Sequence, residues 1–255
     1  MAFREWIDGA LALLAGAWRW VAAPFRAVGR WLRGGGSDVL PRPPASDGTG
    51  GDVPALRIDG INVYRKGNVI TFQDADLSID YDGAPNAYAP PGVGKPLDNL
   101  RNAGDGSKWW GIATDDTGKP LIQGPDDPYP GYYISTTALS WPGQERTRRY
   151  VDSTQISYLA LPKAFKDLGA KLSDFALVSS RATGRKRGAI WADIGPRAKL
   201  GEGSIQLARS LGVESGALRK SGIDVTLWAG SGDGRPYPED VIQARVSQLA
   251  GEGVV

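Results

Sequence analysis

The chain contains no histidine and no cysteine. The first absence excludes Ser-His-Asp triads, His-ligated zinc and imidazole general bases. The second excludes disulfides and thiolate nucleophiles, and with them any redox clue to compartment. Acid–base chemistry is left to Asp, Glu, Lys and Tyr. A dominant charge sign is missing too: 30 Lys and Arg stand against 28 Asp and Glu, so no broad field for nucleic acid is expected. Long uncharged apolar runs are also scarce. In the most apolar segment, residues 1–34, Asp8 and Arg19 break the pattern, which weakens any membrane span.

What is plentiful is Gly (35) and Pro (18), spread through 255 residues. That balance favours short strands and many turns over a helical bundle. The length allows one large domain or two small ones.

Three segments are distinguishable. Residues 1–34 carry five Arg and four of the nine Trp (Trp6, Trp18, Trp20 and Trp31). On a helix the charged side chains gather in one arc and the apolar ones fill the rest. Pro24 interrupts it. Glu5 and Asp8 argue against a signal peptide. An amphipathic helix lying in a membrane interface fits best, with packing on the protein's own body or on a partner as the alternative. Location is expected to be membrane-associated or secreted. Residues 35–54 are a Gly/Pro-rich linker. Residues 55–255 form the body.

Within the body, short apolar stretches recur between turn signals. Candidate strands are Asn62–Tyr64, Val69–Phe72, Leu77–Tyr81, Trp109–Ala113, Tyr132–Thr136, Ser157–Leu161, Phe175–Ser179, Ala189–Ala192 and Val225–Ala229. Helices are expected at Ser204–Leu211, ending at Gly212, and at Pro238–Leu249. The predicted class is mainly β and barrel-like, the double-psi type being one candidate form, with one or two covering helices. The basic run Arg181–Arg187 reads as a solvated hairpin tip, and without interleaved aromatics it gives no reason to expect nucleic acid.

With histidine absent, paired carboxylates lead the catalytic candidates. Asp193 ends an apolar stretch (Ala189, Ile190, Trp191), Gly195-Pro196 turns the chain, and Glu202 leads toward a helix. Glycosidic cleavage needs such a pair facing one cleft: one group protonates the leaving oxygen, the other activates water or attacks carbon. Apolar neighbours are expected to raise the pKa of Asp193 and a helix N-terminus to lower that of Glu202. That favours Asp193 as acid and Glu202 as base; the opposite roles remain open, as does a plain reading of Asp193 as a turn residue and Glu202 as a cap.

The segments Ile79–Pro85 (IDYDGAP), Tyr150–Asp152 (YVD), Ile156–Pro162 (ISYLALP), Ala192–Pro196 (ADIGP) and Gly201–Gly212 (GEGSIQLARSLG) occur in this order. Together they resemble glycoside hydrolase family 75, the fungal-type chitosanases and their bacterial relatives, over roughly residues 60–250. The resemblance implies Asp193 and Glu202 as the essential carboxylates. It also implies inverting cleavage of β-1,4-linked glucosamine polymers, without metal or cofactor. An amino-sugar polysaccharide is then the expected partner.

A polycationic substrate calls for an acidic cleft, and stacking aromatics suit sugar rings. Asp80 and Asp82, within the family-like motif, are the leading substrate-facing acids. Asp115, Trp109, Trp110 and Tyr132 follow, from acidic clusters beside aromatics. Each has a plainer reading as a turn former or core residue. Residues 74–82 lack the Gly and terminal Glu of an EF-hand loop.

Overall fold

In the computed structural model, residues 53–213 and 219–251 are described. The expected helix at 1–34 and nearly all of the linker lie outside them. Among the described residues, no helix is long and apolar enough to cross a membrane.

The body is mainly β, as its composition suggested. Among the described residues eight strands run in chain order: β1 (Leu56–Ile58), β2 (Ile61–Lys66), β3 (Val69–Asp80), β4 (Tyr158–Leu161), β5 (Phe175–Ser180), β6 (Lys186–Ile194), β7 (Glu202–Ser204) and β8 (Arg219–Trp228). Two α-helices accompany them among the described residues, α1 (Ile205–Ser210) and α2 (Glu239–Ala250). The sheet order is β1-β2-β3-β7-β4-β6-β5-β8, and β8 pairs back onto β3. Six strands thus close into a barrel, with the β1–β2 hairpin extending from β3. Closure removes the open edges that would otherwise invite aggregation. Pairing is mixed: β3–β7 and β4–β6 are parallel, the other barrel contacts antiparallel.

β3 makes closure possible. Its first half pairs with β2 on one side and β8 on the other, and its last residues pair with β7. Between them the register with β8 slips after Phe72, where Asp74 takes φ 63°. Such a bulge bends the strand and lets one element serve both walls. Val69–Phe72 and Leu77–Tyr81, expected as separate strands, are joined in this single bent one.

Alternate residues of β3, β4, β6 and β8 fill the interior. Phe72, Phe165 and Trp191 meet edge to face, at ring separations of 6.0 and 6.3 Å. Ile70, Leu77, Leu159, Leu161 and Leu227 pack around them, fully buried. Each such side chain contributes about 1.5–3 kcal/mol of burial, offsetting the ordering of a glycine-rich chain. α2 is fastened to the wall by Glu239, whose carboxylate accepts from Ser157 N and Oγ (both 2.7 Å) and pairs with Arg187. Residues 181–185 turn between β5 and β6, so the basic run does sit at a hairpin tip.

Between β3 and β4 lies a long segment with little regular structure, which forms a roof. Trp109–Ala113 and Tyr132–Thr136 were expected as strands. They make only single bridges, such as Ile112 with Ser135. The segment has a small core of its own, Ala84, Ala87, Tyr88, Ala103 and Ile112. Two contacts join its start to the barrel wall and to its own later turn: Tyr158 Oη donates to Asp82 O (2.8 Å), and Gly83 N donates to Ser135 Oγ (2.9 Å).

Candidate functional site

Ser78 of β3, Glu202 of β7, Ala160 of β4 and Asp193 of β6 are consecutive partners across four neighbouring strands. Residues in register on adjacent strands share a face, and successive residues on one strand alternate. Leu77, Leu159 and Leu161 enter the core. Ser78, Glu202 and Ala160 therefore lie on the opposite face of the wall, as does Asp80.

Asp193 reaches that face only through an irregularity. Trp191 pairs with Leu159 and enters the core, but the next pair is Ala160 with Asp193, so Ala192 is the extra residue. Without the bulge Asp193 would share the inward face of Trp191. With it, Ile194 turns toward the core instead, and a carboxylate stands at the cleft. Bulges beside functional sites often re-aim a side chain in this way.

The cleft between wall and roof has a volume of about 580 Å³. From the wall and its adjoining turns it takes Ser78, Asp80, Asp193, Lys199 and Glu202, and from the roof Asp82, Tyr88, Asp98, Asn102 and Trp110. The two carboxylates expected to act together thus line one groove. Glu202 and Asp193 are separated by two strand spacings, roughly 9.6 Å of backbone distance, and both pair with Ala160 of the intervening β4.

Several hydrogen bonds fix the acids. Asp193 Oδ1 accepts from Ala138 N (2.9 Å) and Ile194 N (2.8 Å). Asp80 Oδ1 accepts from Asp82 N (2.9 Å), and Asp82 Oδ1 accepts from Tyr88 Oη (2.6 Å). Gly111 permits the last arrangement: a Cβ there would come within 2.8 Å of Asp82 Oδ1. Gly201, at φ 80°, is required for a different reason, since any Cβ would strike the Asp76 carbonyl oxygen. That tight passage delivers Glu202 into β7.

Burial dominates the electrostatics. It pushes the Asp80 carboxyl up to about 6, against the opposing Asp82 N–H and Tyr158 hydroxyl. Burial and then the Asp80 charge raise Asp82 well above the usual carboxylate range, with Asp193 adding to the effect. Asp193 is raised likewise by burial and then Asp80, while the Ala138 and Ile194 N–H groups oppose. Glu202 is pushed up to about 7 by burial and next by Asp80, with Lys199 opposing. Like charges held together in a poorly solvated groove cannot all ionise.

The sequence-based expectation for Glu202 is corrected here. A helix N-terminus was to lower its pKa, yet the residue opens a strand and the helix cap is Ser204, whose Oγ accepts from Leu207 N (3.1 Å). Desolvation outweighs whatever a six-residue helix supplies. The plain reading of Glu202 as a cap falls for the same reason.

The other expected substrate contacts divide. Asp80, Asp82 and Trp110 line the cleft. Trp109 packs instead against the roof core, 6.2 Å from the Tyr133 ring. Tyr132 stacks edge-on against Tyr129 and accepts from Lys95 N at 2.8 Å. Asp115 closes an exposed turn, accepting from Thr117 and Lys119. None of these three lines the groove.

Sequence reasoning missed Tyr88, Asp98, Lys199 and Ser78. Tyr158 lay within a family-like segment but received no role. One oxygen from each of Asp80, Asp82 and Asp193 lies within 4.8 Å of the others, a spacing that could hold a hard cation. Comparison with known proteins adds nothing to this geometry: no family model matches the chain, and no curated protein does.

Proposed function

We propose that this chain is an inverting endo-glycosidase acting on β-1,4-linked glucosamine polymer. The observation that carries the reading is the row Glu202–Ala160–Asp193. It places two carboxylates on strands that flank β4, both lining one groove. Inverting pairs need about 6.5–9.5 Å between carboxyl groups so that water fits, whereas retaining pairs stand about 5–5.5 Å apart. Two strand spacings between the backbones suit the first arrangement better than the second. The family-like segments supply the substrate class, and a cleft with five acids and Lys199 suits a polycation.

Roles follow from the surroundings. Lys199 lies beside Glu202 and favours its anion, so Glu202 is poised near neutrality as the base. Asp193, held high by burial with Oδ1 occupied by two backbone donors, keeps its proton for delivery from Oδ2. Asp193 gives that proton to the leaving glycosidic oxygen as the C1–O bond breaks. Water attacks C1 from the other side and passes a proton to Glu202, leaving an inverted hydroxyl at C1. One proton leaves Asp193 and one arrives on Glu202, so the pair is reset by exchange with solvent.

The test is reducing-end release from chitosan, chitin and peptidoglycan, with NMR of the first-formed anomer. Chitosan cleavage with inversion is expected, and Asp193→Asn or Glu202→Gln should each lower turnover about 100- to 10,000-fold, the range for losing one proton-transfer group. Near-normal turnover by either variant, or a retained anomer, overturns the reading. Activity on peptidoglycan alone moves the substrate to a related amino-sugar strand.

A further inference from the structure

Adjacent tryptophans of the roof have opposite fates. Trp109 turns into the roof core, its ring crowding the Gly104 backbone. Trp110 stays 59 % exposed at the cleft. It is nonetheless fixed: Nε1 donates to Asn102 O (2.6 Å) and its backbone N donates to Ala103 O (3.0 Å). An indole held rigid with its face in water incurs an apolar exposure that a ligand can relieve, at little cost in ordering.

The residue that holds this indole also orients an acid. Asn102 Nδ2 donates to both oxygens of Asp98 (2.9 and 3.1 Å), and Asn99 N donates to Oδ1 (2.7 Å). On the far side, Tyr88 Oη lies 3.3 Å from Asp98 Oδ2. A phenol has one hydrogen, and the shorter contact of 2.6 Å assigns it to Asp82. Asp98 Oδ2 thus has only this long contact and one from Asn102, and keeps acceptor capacity toward the groove. Among the described residues no Lys or Arg forms an ion pair with Asp98.

The geometry points to a subsite in which Trp110 and Asp98 together bind one sugar carrying a protonated amine, and through that charge tell glucosamine from N-acetylglucosamine. The apolar sugar face lies on the indole while the ammonium meets Asp98 Oδ2. An acetamido group carries no charge and offers a carbonyl oxygen as well, which a carboxylate repels. The subsite rests on the glycan reading of the cleft, but it concerns recognition and not bond cleavage.

Binding and turnover therefore separate the two. Glucosamine hexamer and N-acetylglucosamine hexamer are titrated calorimetrically into full-length Asp193→Asn protein, with and without Asp98→Asn or Trp110→Ala. Both added changes lie at partly or fully exposed positions, and unchanged melting temperatures verify the fold. The parent should prefer glucosamine hexamer at least 10-fold. Asp98→Asn should remove most of that preference, and Trp110→Ala should weaken both ligands. Equal affinity of the parent for the two hexamers, binding of neither, or an unaltered preference after Asp98→Asn overturns the subsite. If charge-selective binding holds while the unmodified chain cleaves no glycan, the subsite stands and the hydrolase reading falls.

Discussion

Replacing Glu202 by Gln should stabilise the protein at alkaline pH while disabling it. The side chain titrates at 4.5 in an unfolded chain and is pushed up to about 7 in the fold. Between these values the native state binds the extra proton, so stability falls as pH rises through the interval and the full penalty is present above 7. At 1.36 kcal/mol per pH unit the penalty is about 3 kcal/mol. Gln is neutral throughout and avoids it, less some loss for a less well matched amide, leaving about 2–3 kcal/mol. For a body of this size that corresponds to roughly 4–10 °C in melting temperature. Below pH 4.5 both states are protonated and the difference should shrink toward zero. The assay is thermal unfolding followed by circular dichroism at pH 4, 6 and 8 for both proteins. Coincident melting at pH 8, or an offset that does not change with pH, would refute the claim that Glu202 is held against its ionisation.

Two charge changes should move the pH profile of chitosan cleavage in opposite directions. Asp80→Asn removes the charged neighbour that most raises Glu202, so the rising limb of kcat/KM shifts to lower pH; Lys199→Met removes the opposing cation, so it shifts upward. Initial rates from pH 4 to 9 measure both, and shifts of the same sign would contradict the assigned electrostatics. Gly111→Ala should lower kcat at least 10-fold with little change in melting temperature, because the added methyl displaces the Asp82 carboxylate; steady-state kinetics beside a melt separates this from unfolding.

Barrel strands could be read from the chain because they alternate or run apolar between Gly-marked turns. Ser157–Leu161, Phe175–Ser179 and Ala189–Ala192 lie where such patterns placed them. β7 escaped: at three residues, it is shorter than any periodicity can register. The Asp193–Glu202 pair was visible through turn chemistry and family-like segments, but its face was not. Counting from Trp191 would have sent Asp193 inward, and only the extra Ala192 turns it out. Nor could sequence distinguish Trp109 from Trp110, since neither belongs to a regular element and no period assigns a face. Asp98 and Tyr88 had no local signal at all; they join the cleft through long-range folding of the roof. The pKa of Glu202 was misjudged because proximity to a helix is legible along a chain, whereas desolvation by residues far away in sequence is not.

The roof enters and leaves the barrel between two strands that do not pair with each other. Its length is therefore free of the register that holds the wall. Residues could be added or removed around Leu97 or Leu121 without slipping a single rung of β3, β4, β6 or β7. The proposed proton-transfer pair and the proposed ligand subsite thus sit on separate parts of the chain. A designer seeking a new polymer should vary the loops that carry Asp98 and Trp110 and leave the ladder beneath them untouched.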